Sequence, residues 1–226
     1  MELISKIKDD VADVVRLQII DNQGKVTAKV ITFQEYIHLL YESQETTNAM
    51  QRIGQLPNGY FDGAIHPTQE KTFRCVIVLP ATQIPITYQN SEYVIPFPSL
   101  VFYFEVESGR ITGSRVWALT DERPNERSML YAYPFGNVYK DARICWGGNS
   151  LPELSTMKEL DGVISLFFGS PTNDDLFNAT DKFSADAPEY VLTQRALFET
   201  LKGMETFPKQ ILREEEHFLG EIMEEL

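Results

Sequence analysis

The chain has 226 residues, 33 acidic against 20 basic, for a formal net charge of −13, and 43% of it is hydrophobic. That is enough apolar material to bury the core of one ordinary domain or two small ones. The acidic balance excludes a general binder of phosphate backbones, which needs a basic footprint, and stays compatible with a basic protein partner.

Polar residues interrupt Met1 to Ile20 and no run of about 18 apolar residues occurs, so neither a signal peptide nor a membrane span is expected. Residues 13–31 read as a β-hairpin turning at Asp21-Asn22-Gln23-Gly24. Thr32 and Glu35 have capping-box spacing, so a helix opens at Thr32 and fades between Gln44 and Ile53. Thr72 to Leu79 is a candidate buried strand. Pro80, Pro85, Pro96 and Pro98 then restrict the chain to edge strands and loops, because each removes a backbone donor. Leu100 to Val106 and Ile111 to Leu119 are rich in β-branched and aromatic residues, and the short Glu107–Arg110 turn between them carries a glycine. After a polar loop at Asp121 to Asn125, the pattern becomes helical over Ser155 to Phe168 and again from Pro188 to Leu201. A last helix is expected from Pro208, with Ile211, Leu212, Phe218, Leu219 and Ile222 on one face and a solvated acidic face opposite. Strands followed by helices indicate an α+β fold, an antiparallel sheet with helices packed on one side. Residues 1–56, a hairpin and helix, are expected to extend the sheet of a core spanning 57–226, because no flexible linker separates them.

The chain has no phosphate-binding glycine loop and no Cys/His cluster with zinc spacing, so no cofactor or metal is expected. His38, His66 and His217 lie far apart, and only His66, in an Ala-Ile-His-Pro turn, is placed where it could serve a nucleophile. Cys75 falls inside a strand and reads as core. Both cysteines are taken as free thiols in a reducing cytoplasm, since a chain of this length needs no disulfide.

Cys145 stands in a different context. It lies in Y-P-F-G-N-V-Y-K-D-A-R-I-C-W-G-G, residues 133–148, between a bend at Pro134 to Asn137 and the pair Gly147-Gly148. A cysteine protease or other hydrolase would need a base beside the thiol, and only His66 could fold back to supply one. Acyl transfer between thioesters needs less. Incoming and leaving thiolates are chemically alike, so an accessible sulfur and a polar group to steady the oxyanion or the loop suffice. Asn137, eight residues upstream, is the candidate for that group.

The run from Asn137 to Cys145 resembles the active-site segment of ubiquitin-conjugating enzymes, whose pattern is His-Pro-Asn, a short turn, then a basic residue followed by Ile-Cys. The match is closest to the prokaryotic ubiquitin-conjugating-like family D, which includes the PRTRC system protein B group. Leu130-Tyr131, Pro134-Phe135, Asn137-Val138-Tyr139, Cys145-Trp146-Gly147 and Phe167-Phe168-Gly169-Ser170 carry it. The specific resemblance spans Pro98 to Ser170. It implies a conjugating-enzyme-like fold and a bacterial protein that takes a ubiquitin-like modifier as a thioester on Cys145 and passes it to an amine. Asn137 would steady the oxyanion or loop, Tyr139 and Trp146 would wall the site, and Asp141 would either orient or deprotonate the amine or stand as a solvated acid of the turn. Implied partners are the modifier, a ThiF-type activating enzyme and a JAB-type metallopeptidase. The alternative is a non-catalytic adaptor of the same fold that binds the modifier or activating enzyme. Two departures stand out. Phe135-Gly136 replace His-Pro, so aromatic packing would hold the bend. Ala142 replaces the usual glycine before the basic residue, at about 1 kcal/mol if that position requires positive φ.

Overall fold

The computed structural model describes residues 2–7, 14–20, 24–38 and 54–226. Contacts divide the chain into two units, Met1–Arg52 and Ile53–Leu226. In the first, β1 (Glu2–Ile7), β2 (Val14–Ile20) and β3 (Val26–Thr32) pair antiparallel in that order. The expected hairpin is β2–β3, with Val14 opposite Thr32 and Ile20 opposite Val26. Its turn residues Asp21 to Gln23 lie outside the described residues, as does the expected fading of the helix between Gln44 and Ile53. β1 is a strand the sequence reading lacked, since charge on both sides of Ile7 leaves little apolar run to mark it. Val15, Leu17 and Ile31 make a small buried cluster against which Tyr36 packs. Thr32 and Glu35 form the capping box reciprocally. The Thr32 amide donates to Glu35 Oε2 at 2.7 Å, and the Glu35 amide to Thr32 Oγ1 at 3.1 Å. Helix α1, residues 33–38, follows. The described strands of this segment pair with one another as a three-stranded sheet.

The second unit is built on eight further strands: β4 (Tyr60–Ile65), β5 (Phe73–Leu79), β6 (Thr82–Tyr88), β7 (Ser91–Phe97), β8 (Ser99–Glu107), β9 (Arg110–Leu119), β10 (Met129–Tyr131) and β11 (Glu214–Phe218). Six of them form an antiparallel sheet in the order β11-β10-β9-β8-β5-β4. The β8–β9 hairpin closes through Ser108 and Gly109, both at positive φ (+49° and +81°), the two-residue turn that matches strand twist. Alternation along these strands sends side chains to two faces. Leu100, Phe102 and Phe104 join Cys75, Ile77, Val116 and Ala118 on one. Val101 and Tyr103 join Val76, Trp117 and Leu119 on the other. The helices α2 (Leu160–Gly169) and α4 (Gln194–Leu201) cover the first face through Val163, Phe167, Leu197, Phe198 and Leu201. The result is the expected α+β arrangement.

Between β5 and β8, β6 and β7 pair as a separate two-stranded sheet, with Pro85 opposite Val94 and Pro96 opposite Gln83. Both strands of such a ribbon are edges, which is how prolines enter strands here.

The C-terminal helix expected from Pro208 is not formed. A 3-10 turn at Lys209–Ile211 leads into β11, and only Leu219–Met223 is helical, as α5. The cause is a competing partner. β10 offers an open edge, and pairing Met129 with Phe218 and Tyr131 with Glu214 satisfies backbone groups of both strands. The apolar residues are still used: Leu219 and Ile222 of α5 cover the second face of the sheet. No helix among the described residues is long and apolar enough to cross a membrane.

Candidate active site

The edge of β9 positions Cys145. β10 pairs with β9 at Tyr131 and Ala118. The chain then leaves the sheet for a bend and returns to the same edge lower down, where the Val116 amide donates to Ala142 O at 2.9 Å and the Ile144 amide to Ser114 O at 3.0 Å. Residues 138–144 fold as a tight loop. Val138 and Ile144 form an antiparallel bridge, the Tyr139 amide donates to Arg143 O, and the Ala142 amide donates back to Tyr139 O. Ala142 sits at φ +64°, the left-handed conformation that makes glycine the usual residue, so the alanine carries strain. Cys145 is half-buried at the end of this loop and unpaired with Cys75, which is fully buried, its thiol pushed up to about 12 by desolvation.

Asn137 meets the cysteine directly. It too has a left-handed backbone (φ +64°), and that conformation aims its carbonyl at the Cys145 amide, 2.8 Å away. Its side-chain Nδ2 donates to Pro171 O at 3.1 Å, which ties the bend to the segment after α2 and leaves the amide's second N–H for another acceptor. The Tyr139 hydroxyl donates to Cys145 Sγ at 3.6 Å. This contact holds the exposed Tyr139 phenol above its ordinary range. The Arg143 guanidinium lies over the Tyr139 ring at 5.3 Å. Trp146 packs edge-on against Phe167 and donates from Nε1 to Ser114 Oγ at 3.0 Å, so it forms a fixed wall. Asp141 turns toward Arg143, whose Nε lies 2.6 Å from its carboxylate, and not toward the sulfur.

The substitution of Phe135-Gly136 for His-Pro has a complete structural counterpart. Phe135 is 2% exposed, with its ring 4.6 Å from Phe97, 5.5 Å from Phe198, 5.7 Å from Tyr133 and 6.0 Å from Phe207. The Gly136 amide donates to Gln194 Oε1 at 2.5 Å, and a Cβ on Gly136 would lie 2.5 Å from Thr172 Oγ1 and 2.6 Å from Asn173 O. A proline there would lose the donor and clash. The bend is held by an aromatic cage and a buried amide.

Two residues of the site were not legible as functional in the sequence. Gln194, fully buried, accepts from Gly136 and donates from Nε2 to Asn173 O at 2.8 Å. Its place three, four and seven residues before Leu197, Phe198 and Leu201 marks it as a polar residue on the apolar stripe of α4, the one available signal. Lys182 ends the four-residue helix α3 (Ala179–Lys182) and is 4% exposed. Its Nζ donates to Tyr133 O at 3.2 Å and Val138 O at 3.4 Å. Burial lowers its pKa from 10.5 to about 8. Nothing in its polar surroundings marks it.

The histidines stand elsewhere. His66 Nδ1 accepts from the Thr68 and Gln69 amides and so closes its own turn after β4. Strands β8 and β5 separate β4 from β9, three inter-strand steps of about 4.8 Å. His217 pairs with Glu221. The hydrogen bonds of Cys145 go to Asn137 and Tyr139, so a cysteine hydrolase with His66 as base is not assembled.

A family model described as prokaryotic E2 family D matches residues 62–214, from within β4 to the start of β11, and takes in the bend, Cys145 and Gln194. Comparisons with curated proteins and with solved structures find no match. The match covers more than half of the chain, and with it the whole of the loop just described; the chain belongs to prokaryotic E2 family D.

Proposed function

We propose that this protein accepts the C-terminal acyl group of a ubiquitin-like modifier on Cys145 and transfers it to an amine. The Cys145 thiolate attacks the carbonyl of the modifier's thioester on an activating enzyme. A new C–S bond forms, the tetrahedral oxyanion collapses, and the activating enzyme's thiolate leaves. In the second half an amine attacks the same carbonyl and loses a proton, a C–N bond forms, and the Cys145 thiolate is released. Incoming and leaving groups of the first half are both thiolates, so no strong base is needed beside Cys145.

The observation that carries this reading is the hydrogen bond from the Cys145 amide to Asn137 O, which ties the backbone of the bend's one asparagine to that of the cysteine. Asn137 keeps an N–H for the oxyanion while its other contacts brace the loop. The Tyr139 hydroxyl, on the sulfur, steadies the thiolate each time it forms. Trp146 walls the site. Asp141 shapes the turn through Arg143 instead of taking the amine's proton. Partners on this reading are the modifier and a ThiF-type activating enzyme, in a reducing cytoplasm where both thiols stay free, with a JAB-type metallopeptidase acting on the conjugates.

The test combines the protein with ATP, a ThiF-type activating enzyme and a small glycine-tailed ubiquitin-like protein, taken from its gene neighbourhood if it encodes them. An adduct that thiol dissolves should form with wild type, become a thiol-resistant ester with Cys145→Ser, and vanish with Cys145→Ala. Binding of the small protein without any adduct would instead support the adaptor.

A further inference from the structure

The bend that carries Asn137 begins at Tyr133 and ends at Val138, and one side chain holds both ends. Lys182 Nζ donates to Tyr133 O at 3.2 Å and to Val138 O at 3.4 Å from beneath the loop. We propose that Lys182 is a positioning residue for acyl transfer, an ammonium clamp that fixes the separation of those two carbonyls and so sets Asn137 against Cys145. The proposal rests on the thioester reading for its catalytic meaning, but its geometry does not.

An ammonium is suited to this. It has three donors and no acceptor, and its charge strengthens each bond to a carbonyl dipole. A buried ammonium that served stability alone would be a poor choice, because removing it from water is expensive and an apolar side chain of equal length would pack without that penalty. Lys182 is 4% exposed, and the space around its head is a cavity of about 30 Å³ lined by Tyr133, Tyr139, Ala142, Asp181 and Glu215. The clamp also has a frame. Asn178 caps α3 by accepting from the Thr180 amide. The Arg213 amide donates to Lys182 O at 3.1 Å, and Arg213 Nε donates to Asp181 O at 2.8 Å. From the loop side, Lys140 reaches Asp181 at 3.0 Å. The charged and titratable groups around Lys182 are therefore Asp181 on its own helix, Lys140, Tyr133 and Tyr139 on the loop, and Arg213 and Glu215 on the C-terminal side.

Burial leaves Lys182 with a depressed pKa of about 8 although Asp181 and Glu215 pull it up, so the clamp is charged at neutral pH and loses a proton in the mildly alkaline range. A neutral amine retains two donors for the two carbonyls and sheds the cost of burying a charge. Opening the bend returns Lys182 to water and its ordinary pKa, so the closed bend should tighten as pH rises through about 8 in wild type, and should be loose at every pH when the amine is removed.

Hydrogen exchange of the Cys145 amide, whose acceptor is Asn137 O, reads this directly on the isolated full chain without activating enzyme or modifier. In Lys182→Met the amide should exchange about tenfold faster at pH 7, the effect of losing roughly one hydrogen bond to a charged donor. The variant-to-wild-type ratio of exchange rates should grow as pH rises through about 8. Lys182→Arg, which keeps charge and donors, should restore part of the protection. Equal protection of Cys145 in wild type and Lys182→Met would overturn the proposal, as would a ratio that does not change with pH. If Lys182→Met fails to fold, the wild-type pH profile and the Arg variant decide it alone. A protein that forms no thioester but still shows the exchange effect would refute the catalytic reading and keep the clamp.

Discussion

Replacing Gln194 by alanine tests whether the bend is held as the structure indicates. Gln194 is fully buried, and its carboxamide accepts the Gly136 N–H at 2.5 Å while donating to Asn173 O at 2.8 Å. Truncation strands the Gly136 donor in the interior, at about 1–3 kcal/mol. Losing the packed methylene adds about 0.8 kcal/mol. The Asn173 carbonyl lies on an exposed residue and can turn to water, so its share is small. Release of side-chain entropy returns up to about 1.5–2 kcal/mol. The net expectation is a loss of about 1–2 kcal/mol in urea unfolding, with faster exchange of the Gly136 amide than of amides in β8. Gln194→Glu is the informative partner. Ionised, it still accepts from Gly136 but presents a second acceptor to Asn173 O; protonated, it regains a donor. Burial raises the carboxyl's pKa, so this variant should be markedly less stable at pH 8 and recover toward wild type at pH 5. Wild-type stability for both variants at both pH values would refute the account of the bend.

Other substitutions and conditions probe the neighbouring elements. Phe135→Ala empties the centre of the aromatic cage and should cost about 3–5 kcal/mol, read by thermal or urea unfolding; a loss below 1 kcal/mol would show that the ring is not packed as described. Iodoacetamide at pH 8 should label Cys145 and leave Cys75 unmodified in the native protein, because Cys75 is fully buried with its thiol pushed up to about 12; peptide mapping decides, and labelling of Cys75 at a comparable rate would contradict the fold of β5. Lys182 is charged below about pH 8 in the folded chain but keeps its proton to about 10.5 when unfolded. Between those values the unfolded chain binds more protons, so stability rises with pH, by at most about 3 kcal/mol for a shift of that size. Lys182→Met should remove this rise over pH 8–10; above pH 10 the buried tyrosines, whose phenols are held up, oppose it in both proteins.

The strands at the centre of the sheet were legible because period-two burial, β-branched residues and a Ser-Gly turn all indicate the same pairing in β8 and β9. The capping box at Thr32 and Glu35 was legible for a similar reason, since the geometry is local. The C-terminal segment was misread because helical spacing of Ile211, Leu212, Leu219 and Ile222 is also satisfied by a turn, a strand and one short helix. What decides between them is the open edge of β10, which sequence position does not reveal. At the site, Asn137 and Cys145 could be paired through their spacing and the family resemblance, and the strain at Ala142 followed from the glycine it replaces. Lys182 and Gln194 could not be found that way. They reach the bend from 44 and 58 residues further along the chain, and their roles lie in bonds to backbone carbonyls and amides.

The central claim is that Cys145 carries the acyl group. The most direct measurement is peptide mapping of the protein after reaction with ATP, a ThiF-type activating enzyme and a glycine-tailed ubiquitin-like modifier, quenched without reductant. The account predicts the modifier's C-terminal residue attached to the peptide containing Cys145, in a linkage that hydroxylamine or thiol removes. An adduct on Cys75, a lysine conjugate that persists in Cys145→Ala, or no adduct at all with a charged activating enzyme would contradict it.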